Sequence, residues 1–224
     1  DESFREHRPA GLKCLGDWDT IYEGLSTLPE PARTSWFAFD HFYSNNSFEE
    51  ALKVIFDHPV RNLLDVGGNT GKWALQCVGH DPDVEVTILD LPQQIGLMKE
   101  ETAGKPGAER IHGCGGNLLD PATKFPSDKE YDVIWMSQFL DCFSEDEILG
   151  ILTRAAEVLR PGARLCIMEL LWNRQRFEPA AFCLTMTSLY FTAMANGNSK
   201  MYYSEDLTRL IEKAGMKVDR IIDG

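Results

Sequence analysis

From Arg61 to Ile222 the sequence changes its hydrophobic period again and again. Short β-branched and apolar runs alternate with stretches of helical spacing, and that alternation confines the chain to few architectures. Strands are expected over residues 62–66, 84–89, 110–113, 132–136, 165–168 and 216–222. Helices are expected over 70–78, 92–102, 144–159 and 180–195, and from Ser204 to Gly215. Punctuation supports the scheme: Pro92 suits a first helical turn, Ser144 with Glu147 forms a capping box, and Arg160-Pro161-Gly162 stops a helix. Ser204 is expected to cap its helix, backed by Glu205 and Asp206. The implied class is α/β: a mostly parallel twisted sheet with helices on both faces. Ligands in such sheets lie at the carboxyl ends of the strands, where strand order reverses.

Composition narrows the function. With 224 residues the chain can bury a core without staples. Its 22 Lys and Arg against 35 Asp and Glu give a formal charge of −13, which argues against nucleic acid or an anionic membrane as partner. The longest uncharged stretch, residues 179–199, carries Thr, Ser, Asn and Gly and is expected to be a buried helix, not a membrane span. The six cysteines include no C-x-x-C pair and no zinc spacing, so reduced thiols, a cytoplasmic location and no metal are expected. The start at Asp1 without Met, and the stop at Gly224 after an apolar run, suggest a fragment. Two parts are expected: residues 1–58, a helical, aromatic-rich segment covering the substrate side, and residues 59–224, the ligand-binding domain, truncated at its C-terminal strand.

The sharpest local feature follows the first expected strand: Leu63-Leu64-Asp65-Val66-Gly67-Gly68-Asn69-Thr70-Gly71. Glycines there allow a tight turn and close backbone approach to a ligand. Nineteen residues beyond Gly71 stands Asp90, at the end of the second strand. A carboxylate at that place can accept both hydroxyls of a ribose, or it can serve the helix that begins at Pro92. A dinucleotide asks for G-x-G-x-x-G with its pyrophosphate on the helix N-terminus. This turn is G-G-x-x-G with Asp65 inside the strand, a charge that repels pyrophosphate and suits a cation. S-adenosyl-L-methionine, with a sulfonium and an ammonium and no phosphate, matches it better.

These residues resemble the first motif of class I S-adenosylmethionine-dependent methyltransferases, and more narrowly the small-molecule O-methyltransferases of the caffeate, hydroxyneurosporene and polyketide type. Ile88-Leu89-Asp90-Leu91-Pro92, Gly115-Gly116-Asn117-Leu118, Tyr131-Asp132-Val133-Ile134, Leu159-Arg160-Pro161-Gly162, Met168-Glu169 and Ala195-Asn196-Gly197 carry the likeness further. The resemblance implies a Rossmann-like methyltransferase fold. It implies cofactor contacts at Asp65, Gly67, Gly68, Asp90, Leu91 and Ser137, with Asn117 and Leu118 on the adenine side. It implies a small-molecule acceptor and a homodimer formed through a region outside this chain; Trp36, Phe39, Tyr43, Met186, Tyr190, Met194 and Asn196 either line the acceptor pocket or are core residues. Family members usually carry one more strand than this chain has after Gly224.

The catalytic segment departs from the family's plant members, which place a His after the fourth strand as general base. Here Asp141 falls at that position, Glu169 matches a second acidic residue, and Lys200 falls where a third is expected. A carboxylate of pKa about 4 taking a proton from a phenol of about 10 works uphill by roughly 8 kcal/mol. Three routes remain: a more acidic acceptor, help from Lys200 or another residue, or a rate supplied mainly by positioning, which can reach about 7–11 kcal/mol. Asp141 reads equally as a loop carboxylate and Glu169 as a structural one, while His41 is either a replacement base or a structural histidine. The expected activity is methyl transfer to an oxygen of an aromatic or polyketide-like molecule. The alternatives are a cofactor-binding module without transfer and an NAD-dependent oxidoreductase.

Overall fold

The structure is a computed structural model that describes residues 22, 35, 46–191 and 199–223. The described residues fall into two compact units. One holds 35, 46–137 and 153–168; the other holds 22, 138–152, 169–191 and 199–223.

The first unit contains the sheet. In chain order its elements are α1 (Phe48–Ile55), β1 (Asn62–Val66), α2 (Lys72–His80), β2 (Glu85–Asp90), α3 (Pro92–Thr102), β3 (Ile111–Gly115), β4 (Val133–Ser137) and β5 (Arg164–Met168). All pairings are parallel and the strand order is β3-β2-β1-β4-β5. The order reverses between β1 and β4, so the carboxyl ends of β1 and β4 flank the switch point and that of β2 lies next to β1. Central strands read as continuous apolar runs because both faces are buried: Leu63, Leu64, Val86, Ile88, Val133, Ile134 and Met136 are all inaccessible to solvent.

One core cluster joins α1, α2 and α3 to the sheet through Phe48, Ile55, Trp73, Cys77, Ile88, Met98 and Trp135. Each such side chain contributes roughly 1.5–3 kcal/mol by leaving water. Trp73 and Trp135 stack with ring centroids 4.9 Å apart. The N–H groups of Arg61 and Asn62 donate to Asp132 Oδ2 at 2.7 and 3.0 Å, which fixes the start of β1 beside that of β4. Arg164 donates to the carbonyl of Ile55 at 2.6 Å and to Asp57 Oδ1 at 2.6 Å, tying the end of α1 to the start of β5.

The second unit contains α5 (Glu178–Tyr190), α6 (Ser204–Lys213) and the first turns of α4 (Glu145–Val158), a helix whose last turn belongs to the sheet unit. The Ser144 capping box forms as expected. Ser144 N–H donates to Glu147 Oε2 at 2.8 Å, and the Glu147 N–H lies 3.4 Å from Ser144 Oγ. Tyr22, Phe139 and Phe143 form an aromatic cluster with centroids 4.9–5.6 Å apart.

Several expectations are corrected. Residues 216–222 form no strand; a strand needs a paired neighbour, and this segment has none among the described residues, leaving Ile221 and Ile222 exposed. The helix expected over 180–195 is described as α5 and is not buried: Phe182 is 64% and Leu189 56% exposed. Its apolar residues encircle the helix, a pattern that suits burial on every side, and the residues around it leave Phe182, Met186 and Leu189 uncovered. Ser204 is the first helical residue of α6 and makes no cap bond; instead its N–H donates to Asn173 Oδ1 at 2.9 Å. Helix α2 starts at Lys72, not Thr70, because Gly71 sits at φ 77°, a left-handed conformation outside any helix. No described helix is long and apolar enough to cross a membrane.

Candidate functional site

The carboxyl edge of the sheet gathers the expected cofactor residues. Register places Asp65 beside Ile88 and Val66 beside Leu89, and Gly67 N–H donates to the Leu89 carbonyl at 2.9 Å. Asp90 pairs with Gly115, and Gly116 N–H donates to the Asp90 carbonyl at 2.9 Å. Val66 pairs with Met136, so Ser137 ends β4 on the other side of β1. Asp65, Gly67, Gly68, Asp90, Leu91, Asn117, Leu118 and Ser137 therefore share one edge of one unit.

The turn after β1 is built around its charges. Gly67 at φ 75° and Asn69 at φ 51° reverse the chain; Asn tolerates this region better than most residues. Gly68 has another reason to be glycine: a Cβ there would lie 2.5 Å from Asp65 Oδ2 and 2.9 Å from Ile88 Cγ2. Asp65 is buried, and its Oδ2 has no hydrogen-bond partner among the described residues. Burial, and then the nearby charge of Asp90, push its carboxyl up to about 8. Asp90 accepts Asn69 N–H on Oδ2 at 2.9 Å and Leu91 N–H on Oδ1 at 2.7 Å. Burial raises it to about 6, and these two amides oppose the rise. Each oxygen keeps a second lone pair, so both can still receive a hydroxyl. Leu91, not Asp90, is the N-cap of α3. Gln94 was not singled out from the sequence; its Nε2 donates to Asn69 Oδ1 at 2.9 Å and holds the turn.

This edge fits S-adenosyl-L-methionine on chemical grounds. A buried carboxylate with an unpartnered oxygen wants a cation, and the close approach at Gly68 leaves backbone as the wall. It would not welcome a pyrophosphate.

Asp141 and Glu169 belong together in the other unit. Asp141 lies in the short helical turn Leu140–Cys142, which follows Gln138 at φ 47°. Glu169 Oε1 accepts the N–H groups of Phe139 at 2.9 Å and Leu140 at 2.7 Å, while Oε2 is buried without a partner among the described residues. Burial and then the charge of Asp141 hold the Glu169 carboxyl well above its usual range. The opposite side of the turn is bound by residues 199–202. Lys200 N–H donates to the Asp141 carbonyl at 3.0 Å, Ser199 Oγ–H to that of Cys142 at 3.2 Å, and Tyr202 O–H to that of Phe143 at 2.5 Å. Glu169 thus takes the turn's amides and residues 199–202 its carbonyls, a clamp invisible in the linear sequence. The Lys200 ammonium pairs with Glu145 at 3.3 Å and lies 4.7 Å over the Tyr202 ring. Cys142 Sγ–H donates to Asp141 Oδ1 at 3.6 Å.

Among the expected substrate residues, Met186 is an exposed residue of α5 and Tyr190 is its last residue. Trp36, Phe39, Tyr43, Met194 and Asn196 lie outside the described residues, as does His41.

With this geometry in view, the chain belongs to the O-methyltransferase domain family, whose model matches residues 44–217. The cofactor of this family is S-adenosyl-L-methionine. A norreticuline-7-O-methyltransferase of Papaver somniferum is 28% identical over 90% of this chain and 52% of its own length. A phenazine-1-carboxylate N-methyltransferase of Pseudomonas aeruginosa is 23% identical over 92% of the chain and 58% of its own length. The solved structure of SibL, an S-adenosylmethionine-dependent methyltransferase in its apo form, superposes with a TM-score of 0.71 at 22% identity, covering 96% of this chain and 61% of that one. The chain spans about half the length of the curated relatives it matches.

Proposed function

We propose that this chain binds S-adenosyl-L-methionine on the β1–β2–β3 edge and directs its methyl group to an oxygen of an aromatic or polyketide-like small molecule. The observation that carries the reading is the buried Asp65 with an unpartnered oxygen, beside Asp90, at the carboxyl edge of a parallel sheet. When bound, the cofactor supplies a methyl already activated by its sulfonium. Asp90 receives the ribose hydroxyls, Asp65 balances the positive charge, and Asn117 and Leu118 face the adenine. Asp141 accepts the proton of the acceptor hydroxyl. Glu169 orients the Asp141 turn through the two amides that its Oε1 accepts. The free thiols of Cys77, Cys114, Cys142, Cys166 and Cys183 suit a reducing, cytoplasmic setting.

A second reading is transfer to nitrogen. An aromatic nitrogen offers its lone pair without deprotonation, which suits a carboxylate in place of His at Asp141, and the phenazine relative is named for that chemistry. Incubation with methyl-labelled cofactor and a panel of phenols, aromatic acids and nitrogen heterocycles separates the readings. Label on a phenol or acid oxygen supports the first; label on nitrogen alone supports the second. Tight binding of S-adenosylhomocysteine with no transfer to any acceptor makes the chain a binding module. Tight binding of NAD with none of S-adenosylhomocysteine overturns the cofactor reading.

A further inference from the structure

The loop after β3 is held by one cation that reaches it from a helix far along the chain. Gly116 N–H is fixed to Asp90. The chain then coils through successive turns: Leu119 N–H donates to Asn117 Oδ1 at 3.0 Å, Asp120 N–H to the Asn117 carbonyl at 3.0 Å, Ala122 N–H to Asp120 Oδ1 at 2.8 Å and Thr123 N–H to the Asp120 carbonyl at 3.0 Å. A Cβ at Gly116 would sit 2.9 Å from Thr123 Cγ2, so the loop closes on itself there. The Arg154 guanidinium of α4 binds three of its carbonyls. Nη2–H donates to Leu118 at 2.5 Å, and Nη1–H to Thr123 at 2.7 Å and Asp120 at 2.9 Å. Arg154 and the loop belong to the same unit.

We infer that Arg154 is the positioning residue of the adenine-side loop and thereby sets both cofactor affinity and the preference for adenine over another purine. This inference rests on the proposal that Asn117 and Leu118 face the adenine. The guanidinium touches no cofactor atom in this role. It fixes the Leu118 carbonyl while the Leu119 amide fixes the Asn117 side chain, so two consecutive residues of the loop are each held in place. A planar fork with five donors can bind several carbonyls at once, which an ammonium does less well. Adenine carries an N–H2 donor where hypoxanthine carries a carbonyl acceptor, so an ordered loop separates the two and a loosened loop does so poorly.

The test measures binding of S-adenosylhomocysteine and of S-inosylhomocysteine, its hypoxanthine analogue, to the full chain and to Arg154→Met, Arg154→Lys and Asn117→Ala. Loss of three charge-assisted bonds in Arg154→Met is expected to weaken S-adenosylhomocysteine at least about tenfold and to bring the ratio of the two affinities towards one. Arg154→Lys is expected to recover part of both. If Arg154→Met does not fold, the ratio in Arg154→Lys decides: a lowered ratio supports the role and an unchanged one overturns it. Wild-type affinity and ratio in Arg154→Met, or equal weakening of both ligands, also overturns it. Loss of the ratio in Asn117→Ala with its retention in both Arg154 variants refutes Arg154 alone. An unchanged ratio in Asn117→Ala refutes instead the adenine reading of the loop.

Discussion

Replacing Gly68 by Ala tests the cradle most sharply, because the conflict it creates has a named partner. The new Cβ would stand 2.5 Å from Asp65 Oδ2, 2.9 Å from Asp65 Cγ and 2.9 Å from Ile88 Cγ2, all well inside van der Waals contact. Asp65 is buried on a central strand. Overpacking of this kind costs about 1–3 kcal/mol, and a chain of this size loses about 2–4 °C of melting temperature for each. Two of the three contacts belong to Asp65, so in an Asp65→Ala background the same substitution should cost at least about 1 kcal/mol less. Thermal or urea unfolding of the four proteins of this cycle gives the coupling directly. Gly67→Ala is the control: its penalty of about 1–2 kcal/mol comes from φ 75° and should not depend on Asp65. Additivity of Gly68→Ala and Asp65→Ala within about 0.5 kcal/mol would refute the reasoning that this glycine exists for that carboxylate.

Three further outcomes are expected. Asp65 holds its proton up to about 8 in the free protein, and a bound cation favours the ionised form. Affinity for S-adenosyl-L-methionine should therefore rise with pH towards about 8, and calorimetry should show proton release that Asp65→Asn abolishes; a flat profile counts against the charge-balancing role. The same raised pKa means the folded state binds this proton more tightly than the unfolded chain, so the contribution to stability falls as pH rises from about 4 to about 8. Asp90→Ala removes the acceptor of the Asn69 and Leu91 amides as well as the proposed ribose contact, and should weaken cofactor binding at least about tenfold; wild-type affinity removes Asp90 from that role. Glu169→Gln keeps a carbonyl oxygen for the Phe139 and Leu140 amides, so it should retain most activity, whereas Glu169→Ala should lose it; equal loss in both would make the carboxyl's charge itself necessary.

Much of the sheet was legible because its signals are local. Pro92, the Ser144–Glu147 box and the β-branched run before Asp90 each act within a few residues, and they placed α3, α4 and β2 closely. Strand β3 was harder: Gly113 and Gly115 look like turn residues, yet a Cβ at Gly113 would meet Ile95 Cγ2 at 2.5 Å, so that glycine serves packing against α3. The segment at 216–222 misled because alternation shows only that a strand could form, not that a partner edge is there. Arg154 and the Ser199–Tyr202 clamp escaped notice for a shared reason. Their partners are backbone carbonyls at distant positions, and a carbonyl leaves no mark in a sequence.

The strand order also fixes a sequence of events in time. Asn69 and Asp90, which close the cradle, are 21 residues apart, while the Arg61–Asp132 bond that seats β1 against β4 spans 71. Closing the longer loop costs more entropy and is slower, so the β1–β2 half can assemble before β4 arrives. Trp73 lies on the early side and Trp135 on the late side, and their stacked indoles couple only once both are in place. During refolding, far-ultraviolet helix signal should therefore precede the exciton couplet of this tryptophan pair, a built-in clock for the insertion of β4.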